Sequence, residues 1–401
     1  MTVQQIYELM NTVTGEVLGK TDLVAEDLSN VVDVGTEVFN ATAVDNYVKT
    51  LVNHIGKVIF VNRPYSGKIP SVLMDSWEFG SVLEKISCDT PAAEENESWD
   101  LVDGQEYKQD IFYKPTVSAK FFNSKVTFEV PMSFTEKQVK ESFSNAAQLN
   151  GFISMIYNAV DRSMTIKIDG LVMRTINSMI AQTLNADKTA FAGGYGTAST
   201  ARCVNLLKLY NDKFFPATGS TANPDALTAD KAIYDPDFIR FASYTMGVYV
   251  DRLASISTLF NVGGKDRFTD ANNLHVIMLS DFAKGADVYL QSDVRHNEMT
   301  RLPNYETVPY WQGSGQNYEF DSTSAINVKI DASTTVEIDG IVGVMFDRDA
   351  LGVSNLDRRV TTAYNAKAEF FNNYYKFDAG YFNDTNENFV VFFVSDAKTG
   401  S

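Results

Sequence analysis

The feature that most constrains this chain is an uninterrupted apolar periodicity from Ser133 to Leu184. Ile153, Ile156, Val160, Met164, Ile168, Leu171, Ile176, Met179 and Ile180 return at helical spacing, and no proline falls among them. Ser133 and Glu136 stand three apart ahead of the run, the arrangement of a capping box. The spacing predicts a helix from Glu136 to Leu184, roughly 74 Å long at about 1.5 Å per residue. Helices of ordinary domains rarely exceed about 20 residues. Either this one breaks at Asn150-Gly151 or at Gly170, or the molecule is a flat plate that leans on neighbours. A break at Asn150-Gly151 is the preferred expectation.

The flanking stretches are of other kinds. Residues 1–40 carry short apolar clusters without one long periodic element, which predicts an extended arm with short helices. Val44, Tyr47, Val48, Leu51, Val52 and Ile55 form one helical stripe, capped by Thr42 and Asp45. His54 beside it reads as a packed or surface residue. From 57 to 131 the pattern is β-like: KVIFV is a strand signal, and Arg63-Pro64-Tyr65-Ser66-Gly67 is a turn cluster. Val126, Phe128 and Val130 alternate with Lys125, Thr127 and Glu129 in a strand closed by Pro131. These limbs describe a long two-stranded excursion, and such a ribbon is marginal alone in water.

Between the limbs, Glu94, Glu95, Glu97, Asp100, Asp103 and Glu106 follow one another with no Lys or Arg among them. Charges this dense are exposed or face a basic partner. A calcium loop would need an ordered D-x-[DN]-x-[DN]-G, which is absent. The stretch reads as a solvated tip, with Lys137, Lys140 or Arg162 of a neighbouring copy as candidate contacts.

Residues 200–355 read as mixed α/β. Asp235-Pro236 starts a helix, LHVIMLS is a buried strand, and Asp339-Gly340 carries hairpin-turn chemistry. Thr362 to Phe371 alternates as one long strand. FVVFFV (389–394) is apolar on both faces and belongs inside a sheet, the same sheet as 362–376 and packed on the long helix.

Chemistry is hard to find in this sequence. His54, His275 and His296 lack metal-ligand spacing, and the two cysteines, Cys88 and Cys203, are expected to be free buried thiols of a reducing cytoplasm. Asp347 and Asp349 around Arg348 are an unremarked pair in a chain with 51 acids. No G-x-S-x-G or phosphate-loop pattern occurs, and Phe191 to Gly196 reads as a linker. The expectation is no enzyme, no cofactor and no metal. A formal charge of -17 disfavours direct wrapping of nucleic acid, and no apolar run approaches a membrane span.

The tail VTTAYNAKAEFFNNYYKFDAGYFNDTNENFVVFFVSD, preceded by GIVGVMFDRDALGV, resembles the C-terminal region of major capsid proteins from phages of low-GC Gram-positive bacteria. The order of elements resembles the Hong Kong 97-type fold of tailed-phage capsids over nearly the whole chain. That resemblance implies an α+β fold. Its parts would be an N-terminal arm (1–56), an extended β-hairpin or E-loop (57–131), a P-domain with spine helix (132–199), an A-domain (200–355) and C-terminal strands returning to the P-domain (356–401). It implies self-assembly as pentamers and hexamers into an icosahedral shell enclosing double-stranded DNA. Scaffolding, portal and decoration proteins would be partners, the host cytoplasm the place of assembly and the virion the destination. Some relatives crosslink subunits through Lys–Asn bonds; Lys68 and Lys85 lie in the E-loop, but no motif marks a partner, and no crosslink is expected. An encapsulin-like shell is the alternative within the fold. A soluble hydrolase and a tail-tube protein are the alternatives outside it.

Overall fold

The computed structural model describes residues 3–20, 24–40, 46–52, 54, 69–74, 83–91, 93–107, 110–191, 194–217, 223–291, 305–312 and 320–396. In chain order the first elements are α1 (Val3–Leu18), α2 (Val31–Asn40) and α3 (46–52). Four strands follow: β1 (Leu73–Met74), β2 (Leu83–Cys88), β3 (Val117–Phe122) and β4 (Lys125–Thr135). Next come α4 (Glu136–Ser142), α5 (Ala146–Ala186), β5 (Cys203–Asn205), α6 (Leu206–Phe214), α7 (Ala229–Ala232) and α8 (Pro236–Ala254). Then β6 (Leu274–Leu279), α9 (Ser280–Gln291), β7 (Tyr305–Val308) and α10 (Phe320–Thr323). The chain ends with β8 (Ile326–Lys329), β9 (Thr335–Ile338), β10 (Ile341–Asp347), β11 (Leu351–Asn365), β12 (Phe370–Asn383) and β13 (Phe389–Phe393). Two compact units result: 1–79, 124–172 and 353–380 form the first, and 80–123, 173–352 and 381–401 the second.

The long helix is real, and it is broken earlier than expected. Its cap is Thr135 rather than Ser133: Gln138 N–H donates to Thr135 Oγ1 (3.2 Å) and Thr135 N–H to Gln138 Oε1 (2.9 Å). Ser133 is still in β4, its hydroxyl on Asn372 Oδ1. The break lies at 143–145, where Gln148 N–H donates to Asn145 Oδ1 (2.8 Å) and restarts the helix. From Ala146 to Ala186 it runs 41 residues without interruption. Gly151 is exposed, and a side chain there would meet nothing within 4 Å, so neither crowding nor a turn forces a break at Asn150-Gly151.

The first unit has a helical core, built in part from the segment that the sequence predicts to be an extended arm with short helices. Ile6, Met10 and Val13 of α1, Val34 and Val38 of α2, and Tyr47 and Val48 of α3 are fully or almost fully buried. The Tyr47 and Phe143 rings lie 6.1 Å apart, and a Cβ on Gly35 would stand 2.5 Å from Phe143 Cβ. Helix α2 therefore packs with its backbone against that ring. The proposed Thr42–Asp45 cap, the KVIFV strand and the 63–67 turn lie outside the described residues.

The sheet of this unit runs β1-β11-β12-β4. Strand β4 does not close at Pro131 but continues to Thr135. Its register against β12 pairs Pro131 with Tyr374, and Glu136 N–H bonds Glu369 O (3.0 Å). Counting back in twos from Glu136, odd-numbered residues of β4 turn their backbone groups away from β12. Pro131 thus lacks its N–H on the open edge, where no ladder bond is lost. The predicted single strand 362–371 is instead a hairpin. Asn365 Oδ1 accepts from Lys367 and Ala368 N–H (3.1 and 3.2 Å), and Glu369 has φ +48°.

The second unit holds a five-stranded sheet, β5-β13-β10-β6-β7. Every residue of β13 and β10 is buried, as FVVFFV demanded. The sheet is not the one expected, however: β12 and β13 belong to different sheets. A turn at 384–387 redirects the chain, and Val391 pairs with Val344 and Cys203. Asp339-Gly340 likewise joins strands of different sheets, β9 pairing with β8 and β10 with β6 and β13. Gly340 keeps the positive φ (+76°) expected of it, and any Cβ there would strike Val394 O. Helices α6, α8 and α9 cover one face of the sheet with Leu207, Phe238, Ala242, Met246 and Phe282. Asp235 caps α8 as predicted, accepting from Phe238 N–H (2.8 Å). Val204 is in β5, not in the short helix that follows.

Candidate assembly surfaces

The β2–β3 ribbon carries Lys85, one of the two lysines singled out in the sequence, and the loop joining its strands carries the acidic run. Leu83 stands opposite Phe122, Lys85 opposite Lys120, and Ser87 opposite Ser118, so these six share one face. Glu84, Ile86, Cys88, Val117, Ala119 and Phe121 share the other. The burial is the reverse of what composition suggests. The second face is exposed throughout, with Ile86 67% and Phe121 62% accessible, while Lys85 and Lys120 are half-buried. Cys88 is therefore an exposed thiol, against expectation, whereas burial pushes the Cys203 thiol well up from its ordinary range.

The lysines point into a carboxylate socket made by the turn after β12. Lys85 Nζ lies 2.7 Å from Glu387 Oε1 and 3.1 Å from Asp384 Oδ2; Lys120 Nζ lies 2.9 Å from Asp384 Oδ1. The Asp384 side chain is only 2% accessible. Burial raises its carboxyl, but hydrogen bonds from Lys120 and Asn386 N–H and the charge of Lys85 more than offset that and hold it below the usual range. Burial lowers the Lys85 ammonium, yet its bond to Glu387 and the two carboxylate charges leave it raised on balance. Arg267 Nε also reaches Glu387 Oε1 (3.2 Å), and Lys265 pairs with Asp89 (2.6 Å) at the far end of β2. Sequence reasoning named Lys85 for its place alone and missed the socket, whose acids lie some 264 residues from Lys120 in sequence.

Beyond the ribbon, the 89–116 loop carries the acidic tip. Glu94, Glu95, Asp100, Asp103 and Glu106 are exposed, and Glu97 begins a 3-10 turn (Glu97–Trp99). Lys137 and Lys140 on α4 and Arg162 on α5 are exposed too, but they belong to the first unit. The acids thus share one loop of the second unit, and those bases lie in the first. What sequence reasoning overlooked is the apolar content of the same loop: Trp99 (94% accessible), Leu101, Val102, Ile111, Phe112 (87%) and Tyr113 are all exposed. These residues are readable in the sequence, where Trp99, Leu101 and Val102 interleave with the charge run.

Other places offer structure rather than chemistry. Asp347, of the Asp347–Asp349 pair, accepts from Thr269 Oγ1 (2.8 Å) and from Asp349 N–H (2.9 Å), which ties down the strand end. His54 Nε2 lies 3.0 Å from Glu16 Oε2. Among the described residues no group of three or more His, Cys, Asp or Glu could hold a metal ion, and no helix is long and apolar enough to cross a membrane. An open cleft of about 610 Å³ between α7, α9 and α10 has Asp230, Asp281, Asp321 and Lys284 on its walls, with neither cysteine nor histidine. Lys68 and His296 lie outside the described residues.

The surfaces that stand out among the described residues are the ribbon and its tip. The profile of the Phi29-like phage major capsid protein family matches residues 10–393. The chain belongs to that family and is a phage major capsid protein. No curated protein matches it. Among solved structures it is similar to the capsid of Staphylococcus phage Andhra (8% identity, 84% of this chain and 88% of that one, TM-score 0.47). It is also similar to a chain from the head fibre and inner core protein structure of bacteriophage P68 (8%, 83% and 87%, 0.48) and to one from the mature capsid of bacteriophage PhiM1 (9%, 84% and 89%, 0.40).

Proposed function

We propose that this major capsid protein has the Hong Kong 97-type fold and assembles as pentamers and hexamers into an icosahedral shell around double-stranded DNA. The observation that carries the reading is the ribbon and its tip, where a single subunit leaves Ile86, Trp99, Phe112 and Phe121 uncovered. Residues 1–56 serve as N-arm, 57–131 as E-loop, 132–199 as P-domain with α5 as spine, and 200–355 as A-domain. Strands β11 and β12 return to the P-domain, while β13 completes the A-domain sheet. Glu94, Glu95, Glu97, Asp100, Asp103 and Glu106 meet Lys137, Lys140 or Arg162 of a neighbouring copy. Assembly occurs in the host cytoplasm with scaffolding, portal and decoration proteins as partners, and likeness at 341–396 supports a host among low-GC Gram-positive bacteria. The family gives the chain a structural role, and its net charge of -17 suits a wall that confines DNA without binding it tightly. Electron cryomicroscopy of particles from producing cells tests this. Closed icosahedral heads with this chain as the main protein are expected; tubes, or heads built of another chain, would overturn it.

A further inference from the structure

We propose that the β2–β3 ribbon is a strap fastened to its own subunit by a charge latch, Lys85 and Lys120 on Asp384 and Glu387, and that it unfastens as a unit while the five-stranded sheet stays folded. Three observations lead there. Among the described residues the ribbon is a two-stranded sheet by itself, so no sheet ladder ties it to the body. Its inward face carries one buried apolar side chain, Phe122, whose ring lies 5.0 Å from Phe382; the rest of that face is Leu83, two serines and the two lysines. The socket, finally, does not need the strap in order to exist. Asp384 N–H donates to Ala350 O (2.6 Å), Asn386 N–H to Asp384 Oδ1 (3.0 Å) and Gly263 N–H to Thr385 O (2.9 Å), and Arg267 remains on Glu387.

A strap held by charge responds to competing ions, and the groups involved exclude an ordinary pH trigger. The depressed Asp384 carboxyl contributes fully above its ordinary value and is lost only as pH falls through its lowered one. The raised Lys85 ammonium contributes fully below its ordinary value and is lost only as pH rises through its raised one. Arg267, on Glu387, and Lys265, on Asp89, are further charged groups beside the ribbon. The Asp384–Lys85 pair therefore stays charged between their two ordinary values, roughly pH 4 to 10. Ionic strength and a rival cation are therefore what open it, although partial burial blunts screening.

The proposal concerns one subunit, so it can fail without touching the assembly reading. The test is amide hydrogen exchange, peptide by peptide, on the full-length chain as wild type, Lys85→Arg/Lys120→Arg and Lys85→Met/Lys120→Met. In the Met variant β2 and β3 amides exchange at least about tenfold faster, with β10 and β13 unchanged and the Arg variant close to wild type. Raising salt to about 1 M speeds the same wild-type peptides and leaves the Met variant unaffected. Equal exchange in Met and Arg variants would show that charge is not the fastener. Acceleration spreading to β10 and β13 would show that the ribbon belongs to one cooperative core.

Discussion

Replacing Trp99 with Ala separates the two ways the tip could hold a neighbour. Trp99 is 94% accessible within the subunit, so the change removes nothing the subunit buries. A tryptophan offers about 150–250 Å² of surface, worth roughly 4–6 kcal/mol at about 25 cal/mol per Å² if wholly covered. Half coverage gives about 2 kcal/mol after ordering costs, whereas an exposed ion pair gives about 0–1 kcal/mol and fades in salt. Each copy carries one tip, so a loss of about 2 kcal/mol raises the concentration needed for assembly roughly 30-fold. Neutralising Glu94, Glu95, Asp100, Asp103 and Glu106 to their amides should instead change mainly the salt dependence, because such pairs set register more than affinity.

Sedimentation velocity over a concentration series, beside thermal melts of the subunit, reads both quantities. Trp99→Ala should shift the assembly threshold and leave the melt where it was. Deleting 92–105 across a short Gly-Ser bridge should do the same more strongly, since it about halves the loop and alters closure entropy by only about 0.6 kcal/mol. Shells at the wild-type threshold would show that the tip faces solvent in the particle. A lowered melting temperature would show that Trp99 supports the subunit fold.

Two further substitutions test the core. Gly35→Ala sets a methyl 2.5 Å from Phe143 Cβ and should cost about 1–3 kcal/mol in urea unfolding; an unchanged midpoint would mean that α2 does not rest on that ring. Val391→Asp places an unpaired carboxylate in the wholly buried β13 and should cost about 3–5 kcal/mol, seen as lost soluble yield; a variant as soluble and as cooperative as the parent would contradict its central position.

What the sequence disclosed and what it hid divide by range. Helix α5 was legible because its stripe returns for 41 residues, and β13 because FVVFFV leaves no face for water. The cap slipped by two because S-x-x-E at 133–136 and T-x-x-Q at 135–138 are both valid starts, and only the ladder with β12 keeps Ser133 extended. The β11–β12 turn was hidden because Ala366 to Glu369 contain no Gly or Pro; an Asn365 side chain and one left-handed residue make it. The separation of β12 from β13 could not be seen at all. Both read as strands with a turn between them, and adjacency in sequence argued for one sheet. The N-terminal core escaped for a similar reason, since Tyr47 meets Met10 (Oη 3.8 Å from Sδ) and the Phe143 ring only in three dimensions.

The ribbon shows why periodicity alone misjudges a surface. LEKISC and VSAKFF alternate cleanly, and the usual rule puts Ile86 and Phe121 inward and lysines outward. Two strands enclose no core, so the rule has no apolar floor to act on, while the 384–387 turn supplies buried acids that a cation must answer. Charge therefore takes the middle of the inner face beside Phe122, and Ile86 and Phe121 are left outside. In a monomer that arrangement would be a liability for aggregation. In a chain whose family builds capsids it is consistent, because a shell can cover on one copy what another leaves bare.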